Sequence, residues 1–379
     1  MKQGHSGSTF PPNLERNVYI DTLRGLAIWG VVCVHFAGSF VSEEYAWTPT
    51  FYAGLTLNLF FSFAVPLFVF LSGLLAGLSR KQPRLATYYL GRFRRIVLPY
   101  LVASLAAFFV MNHHAEWQEL STGIERFQWI VYHLGWVGIE PTFYFIPLVI
   151  QLYLILPLLR ALPKFIHKRF GAKIGIDDTV ANIAFVLLIV HVLIGLLCYF
   201  DRLDYYHWGR PFALFWLFYF FVGLHFDSLR SILAERIGLV VISMSGLVGI
   251  SVFGFLLTNS MDPNIVGVRL ENNEFDKAYV RPAIMLMNLA FILVISGGIV
   301  RRWQPPPNVF TKFGPASLAI YLWHIMLIYV CIWSRPSTMQ SVTLVPELLA
   351  IIPLCVCFIL FWLGQTPKFL ATKFRLRNQ

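Results

Sequence analysis

Charge is what this 379-residue chain has least of: 13% of its residues are Asp, Glu, Lys or Arg while 57% are hydrophobic, which excludes an ordinary soluble domain. Acids are scarcer still, 19 against 30 Lys and Arg. The five cysteines, Cys33, Cys198, Cys331, Cys355 and Cys357, all sit in or beside apolar runs without zinc-ligand spacing, which excludes a disulfide framework or a zinc-built fold. Cys355 and Cys357, two apart, point to different faces of a helix. No N-x-[ST] sequon and no internal repeat occurs, and the missing repeat argues against a transporter built from inverted halves. Neither an appended soluble domain nor a metal site is expected.

What remains is sequence made for lipid, with a mean hydropathy of +0.66. Ten apolar runs of the length a helix needs to cross about 30 Å of hydrocarbon cover 17–40, 53–78, 95–112, 143–162, 180–199, 211–227, 237–257, 281–300, 314–333 and 345–364. Their continuous apolar character predicts an all-α bundle, since barrel strands would alternate. Taking alternate loops as internal places 22 basic residues on one side and seven on the other, with Arg24 inside the first run. Basic residues are retained on the cytoplasmic face. The expected architecture is therefore a polytopic membrane bundle of about ten transmembrane helices with both termini cytoplasmic. It comprises a tail over 1–16, a membrane domain over 17–364 and a basic tail over 365–379. The first run is too long for a signal-peptide core, so the first helix is expected to be retained. The formal net charge of +11 follows from this asymmetry and from anionic lipid, so a nucleic-acid partner is not expected.

Chemistry is sought where polar side chains enter the membrane, because an ionisable group there costs about 2.5–3.5 kcal/mol on insertion scales. The first run, "YIDTLRGLAIWGVVCVHF", holds Asp21, Arg24 and His35. Asp21 and Arg24 are neighbours on one helix face and can offset each other's burial. Arg24 and His35, eleven residues apart, lie about 20° apart around a helix and about 16 Å along it, so both are expected on one cavity wall. A purely structural ion pair and a hydrogen-bonded core histidine are the bland alternatives.

Several separated motifs resemble the membrane acyltransferase-3 family. "IDTLRGLAIWGVVCVHF" resembles the family's opening helix with its Arg, ten residues and His, here Arg24 and His35. "FFSFAVPLFVFLSGLLAG" resembles the next, with Ser72 and Gly73. "YYLGRFRRIVLPYL" is similar to the family's basic segment, with Arg92 and Arg95 at R-x-x-R spacing. "FYFIPLVIQLYLILPLL" resembles the fourth helix and "ASLAIYLWHIMLIYV" the ninth, with Ser317, Tyr321 and His324. The fourth departs from the pattern. Val149 and Ile150 precede Gln151 where many members carry paired acids, so no acidic partner is carried over.

The resemblance implies an integral membrane acyltransferase, one transferring groups other than aminoacyl groups. It moves an acyl group, acetyl being favoured, from cytoplasmic acyl-CoA to a hydroxyl of an extracytoplasmic or lipid-linked carbohydrate. The compact chain resembles members that modify polysaccharide or glucan. The setting is a cell membrane, with the bacterial inner membrane favoured. No cofactor is permanently bound; acyl-CoA is a donor substrate, and the lipid bilayer is the other partner. His35 is the candidate general base or transient acyl carrier, with Arg24 and Asp21 beside it.

Arg92, Arg94 and Arg95 suit the donor's phosphates, because guanidinium binds phosphate bidentately, although the positive-inside rule explains the same cluster. Tyr321 and His324 share one helix face with Ser317 and are cavity candidates, alongside a role as a polar seam between helices. Tyr153 and Gln151, two apart, cannot share a face, so at most one of them is expected to point at the cavity. Ser72 and Gly73 read as a close-packing point. His191 and His225 read as structural. The loop from Asn112 to Thr142, rich in His113, His114, Trp117, Trp129, Tyr132, His133 and Trp136, is open to two readings: an acceptor surface or an interfacial aromatic belt. The runner-up function is a non-enzymatic transporter of glycan or lipid, which predicts no dependence on a donor.

Overall fold

The computed structural model describes residues 18–41, 48–79, 85–170, 175–230, 279–330 and 352–364, and all regular structure among them is helical. The helices are α1 (Val18–Gly38), α2 (Pro49–Phe60), α3 (Ala64–Leu78), α4 (Leu85–Arg92), α5 (Leu98–Val110), α6 (His114–Glu119) and α7 (Gly123–Gly135). There follow α8 (Phe145–Phe170), α9 (Ile176–Tyr199), α10 (Ala213–Leu224), α11 (Pro282–Val300), α12 (Val309–Ile328) and α13 (Ile352–Gly364). Among the described residues, five stretches are long and apolar enough to cross a membrane: Val18–Gly38, Pro49–Leu78, Thr87–Val110, Pro141–Arg169 and Ile176–Tyr199.

Local signals explain several boundaries. Thr48 caps α2, accepting from the Phe51 amide at 3.2 Å, with Pro49 at the first helical position. A single 3-10 turn, Phe61–Phe63, joins α2 to α3 without ending the span. The expected run 95–112 begins earlier, at Thr87, because a π turn over Phe93–Val97 joins α4 to α5 and carries Arg94 and Arg95 within it. The expected run 314–333 begins at Val309, where Asn308 and Thr311 cap each other reciprocally at 3.1 Å. The expected run 237–257, the terminal tails and most of the loop 258–280 lie outside the described residues. Of the run 345–364, only the part from Ile352 is described.

Hydrogen bonds between distant segments join the predicted inner ends to one another and the predicted outer ends to one another. At one end Arg160 donates to the Ala76 carbonyl, Arg230 to the Val300 carbonyl at 3.3 Å, and Tyr19 stacks edge-on with Trp303. At the other, Trp136 donates to the His207 carbonyl at 3.1 Å and His113 pairs with Glu140 at 3.2 Å.

The centre of the bundle is α1 against α12. Their backbones touch: a Cβ placed on Gly25 would fall on the Phe310 backbone, and one on Gly314 would fall on Asp21. Without a hydrophobic drive between helices in lipid, such close approach supplies the packing that joins them. The pair α3 and α10 repeats the device through Gly73 and Gly223, so Gly73 does mark a close-packing point. His191 bridges α9 to α10, with Nδ1 2.6 Å from the Phe215 carbonyl and Nε2 3.3 Å from the Tyr219 hydroxyl. His225 lies 3.1 Å from the Leu159 carbonyl, so both histidines stitch helices together.

Candidate active site

The α1–α12 contact sets the site, because it brings Thr22, Arg24 and His35 of α1 against polar side chains of α12. At the inner end Thr22 and Thr311 share a hydrogen bond of 2.9 Å. One turn on, Arg24 lies 3.5 Å from Asp21 and donates to Ser317 Oγ at 3.1 Å. Near the outer end the rings of His35 and His324 lie 5.3 Å apart. Arg24 and His35 thus face the same neighbour, as their spacing predicts.

Among the described residues they line two adjoining cavities rather than one. An inner cavity of about 380 Å³ is lined by Arg24, Ser72, Arg92, Arg95, Tyr153 and Ser317, among others. An outer cavity of about 310 Å³ is lined by His35, Asn58, Ser62, Glu140, Thr142 and Arg210, among others. Phe145 and Tyr321 line both. Their rings pack edge to face at 5.6 Å, and the Tyr321 hydroxyl donates a short hydrogen bond to the Thr142 carbonyl. The expectation of one continuous wall is corrected to two chambers divided by an aromatic septum.

The inner chamber sorts the basic cluster. Arg92 and Arg95 line it, whereas Arg94, beside Arg95 in the π turn, does not. Arg94 points elsewhere than the adjacent Arg95, because neighbouring helical positions point in different directions. The Arg92 guanidinium lies 4.3 Å from the centre of the Tyr153 ring, a cation–π contact that fixes both at the cavity wall. Of Tyr153 and Gln151, only Tyr153 lines the chamber. Gln151 donates to the Pro211 carbonyl at 2.9 Å and accepts from the Ala213 amide at 3.1 Å, joining α8 to the start of α10.

In the outer chamber His35 is partly exposed, and its ring faces the space between α1, α2 and the turn at Pro141–Tyr144. His324 is fully buried behind it and lines neither chamber. The His324 Nδ1 lies 2.6 Å from the Tyr321 carbonyl, so Nδ1–H donates there and the Nε2 lone pair has no protein partner among the described residues. An unpaired buried acceptor beside His35 can take a hydrogen bond from a neighbour or a bridging water, and His324 stands behind the cavity wall rather than in it. Thr142 Oγ1 is likewise buried, unpaired and at the cavity.

Two charged residues of this chamber carry no signal in the sequence. Glu140, 7% exposed, supplies a carboxylate to the cavity of His35 although the fourth run has no acids, and it pairs with His113 at 3.2 Å. Arg210 stands 4.4 Å over the Tyr144 ring and donates to the Pro141 carbonyl at 2.5 Å. Glu140 and Arg210 lie far apart in the chain, in loops, where a linear reading sees only two isolated charges.

The loop from Asn112 to Thr142 divides between its two readings along the faces of α7. Ile124, Phe127 and Val131 are exposed, as an interfacial helix requires. On the opposite face Tyr132 and His133 line a further pocket, and Trp129 packs with Trp117 and Phe108 beneath the loop.

A helical membrane protein with ionisable groups facing internal chambers is the class this geometry defines. A family model described as "Acyltransferase domain", that of the acyltransferase-3 family, matches residues 17–364, and the chain belongs to that family. Neither the curated proteins nor the solved structures compared with it gave a match.

Proposed function

We propose that the protein is an acyl-CoA-dependent O-acyltransferase of the cytoplasmic membrane, bacterial in setting, with about ten spans and both termini inside. It transfers an acyl group, acetyl in the first instance, to a hydroxyl of an extracytoplasmic or lipid-linked carbohydrate. The observation that carries this reading is the pair of chambers meeting at Tyr321 and Phe145, one lined by three arginines and the other by an imidazole. Acyl-CoA enters the inner chamber as a substrate. Arg92 and Arg95 hold its phosphates, with Arg24 further along the path. The thioester end crosses the septum when the Tyr321 ring swings aside.

In the outer chamber His35 takes the proton from the acceptor hydroxyl as its oxygen attacks the thioester carbonyl. The new O–C bond forms, the C–S bond breaks, and the departing thiolate takes the proton back from the imidazolium to leave as free CoA thiol. Asp21 holds Arg24 in place through their ion pair. An acyl-histidine intermediate is the two-step version of the same chemistry, distinguished by ping-pong kinetics.

Purified protein in nanodiscs supplied with acyl-labelled acetyl-CoA and a pool of oligosaccharides tests this. Label should reach carbohydrate with the original protein and be lost with His35→Ala while the variant stays folded. Carbohydrate labelling that survives His35→Ala unseats the base, and movement of glycan across the bilayer without donor consumption makes the protein a transporter.

A further inference from the structure

We propose that the His35 chamber continues into a second carbohydrate subsite, so that the acceptor is an oligosaccharide of at least two neutral pyranose units rather than a single sugar. The identity of the ligand rests on the transferase reading above; the pocket and its geometry do not. A further pocket of about 240 Å³ adjoins the chamber, and Pro141, Tyr144 and Arg210 line both. A ligand long enough to pass this shared wall occupies both spaces. Together they fall within the range of about 300–1,000 Å³ usual for small-molecule sites.

The pocket has the composition a sugar needs. Tyr132 and Tyr206 offer apolar ring faces for the C–H side of a pyranose, and His113, His133, Glu116 and Arg210 offer donors and acceptors for its hydroxyls. Charges of both signs line it, which favours a neutral polyhydroxylated ligand over an anion or a cation.

The walls are also held in place before any ligand arrives. The Tyr132 hydroxyl lies 2.9 Å from His207 Nε2, and His207 Nδ1 lies 2.5 Å from Asp204 Oδ2. Trp136 Nε1 donates to the His207 carbonyl at 3.1 Å, so α7 is tied to the Tyr205–Gly209 turn at two points. His113 is fixed in turn by Glu140. That pair forms the partition itself, with Glu140 facing the His35 chamber and His113 facing the second pocket. An interfacial belt accounts for Ile124, Phe127 and Val131 but not for a chain of hydrogen bonds that immobilises an inward tyrosine. Rings fixed in this way lose little freedom on binding.

The test is a glycan array of neutral mono- to hexasaccharides probed with fluorescent protein in nanodiscs. Retention should rise at least tenfold from monosaccharide to disaccharide. Tyr132→Ala should remove that rise, Tyr132→Phe should reduce it several-fold by freeing the ring from His207, and Ile124→Ala, on the lipid face, should leave it intact. His35→Ala should bind with the same length dependence although it transfers nothing. Equal retention of mono- and disaccharides, no retention at all, or a length dependence that survives both Tyr132 variants overturns the second subsite. Loss of acyl transfer from acetyl-CoA with length-dependent binding preserved would instead overturn the transferase reading, so the two failures are distinguishable. A thermal melt of each variant in nanodiscs guards against loss of fold, and Tyr132→Phe keeps the test decisive if Tyr132→Ala unfolds.

Discussion

The two chambers share Phe145 and Tyr321 but are built in opposite ways. The inner one takes its charges from helices: Arg24 on α1, and Arg92 and Arg95 at the junction of α4 and α5. The outer one takes His35 from a helix, but Glu140, Thr142 and Arg210 from the turns between helices. Charge carried on a helix declares itself by spacing, whereas charge carried by a turn has no partner until the fold brings one. On the function proposed above, the difference would match the two substrates: a CoA nucleotide is much the same whatever the acceptor, while the acceptor varies, and loops vary more readily than spans.

Replacing His35 separates the chambers most sharply. His35→Ala should lower transfer by about 10²–10⁴-fold, the usual worth of a general base, while binding of radiolabelled acetyl-CoA to the membranes stays unchanged. A variant that loses donor binding to the same extent would show that the chambers are one site.

Next come the arginines. Arg92→Ala and Arg95→Ala should each raise KM for acetyl-CoA about 10- to 100-fold, the loss of a charge-assisted hydrogen bond, with little change in KM for the acceptor. Arg94→Ala, outside the cavity, should change it by less than about threefold, and equal effects from all three would restore the cluster to a mere topology signal.

The joint common to both chambers should respond in both. Gly25→Val drives a side chain into the Phe310 backbone and should cost about 1–3 kcal/mol, read as a lowered Tm in nanodiscs and a parallel loss of both substrates' binding. Removing the septum is milder. Tyr321→Ala should raise acetyl-CoA hydrolysis without acceptor by about tenfold, because water then reaches the thioester from outside. Tyr321→Phe, which keeps the ring, should not.

The smallest effect concerns the wall of the outer chamber alone. The hydrogen bond that His113 donates to Glu140, with the charge of Glu116 nearby, holds the His113 imidazolium above its ordinary pKa of about 6.5 against the opposing effect of burial. A raised folded-state pKa means that the pair's contribution is full below about pH 6.5 and is lost as pH rises through the raised value. Hydrogen exchange of residues 112–122 should therefore quicken over that interval and lose its pH step in His113→Gln, while the helices around the inner chamber stay unchanged.

Much of this was legible in the linear chain. Spacing of eleven residues put Arg24 and His35 on one face, and Ser317, Tyr321 and His324 on the facing stripe, because helical periodicity is fixed by backbone hydrogen bonding. Which of Tyr153 and Gln151 faces the cavity was undecidable, since both suit a polar interior; the open carbonyl of Pro211 and amide of Ala213 claimed Gln151. Arg94 looked equivalent to its neighbours until the π turn fixed their directions. Glu140 was invisible because its partner, His113, lies 27 residues away.

Amino-acid order alone determined that this is a helical membrane protein of the acyltransferase-3 family, for a simple reason: lipid admits no unpaired backbone, so long apolar runs must be helices wherever they sit. Only the tertiary structure decided that the interior is two chambers rather than one, that a tyrosine stands between them, and that an acid faces His35. Those outcomes depend on how closely Gly25 and Gly314 let two backbones approach and on which turns meet at the outer end, distances that no local propensity encodes.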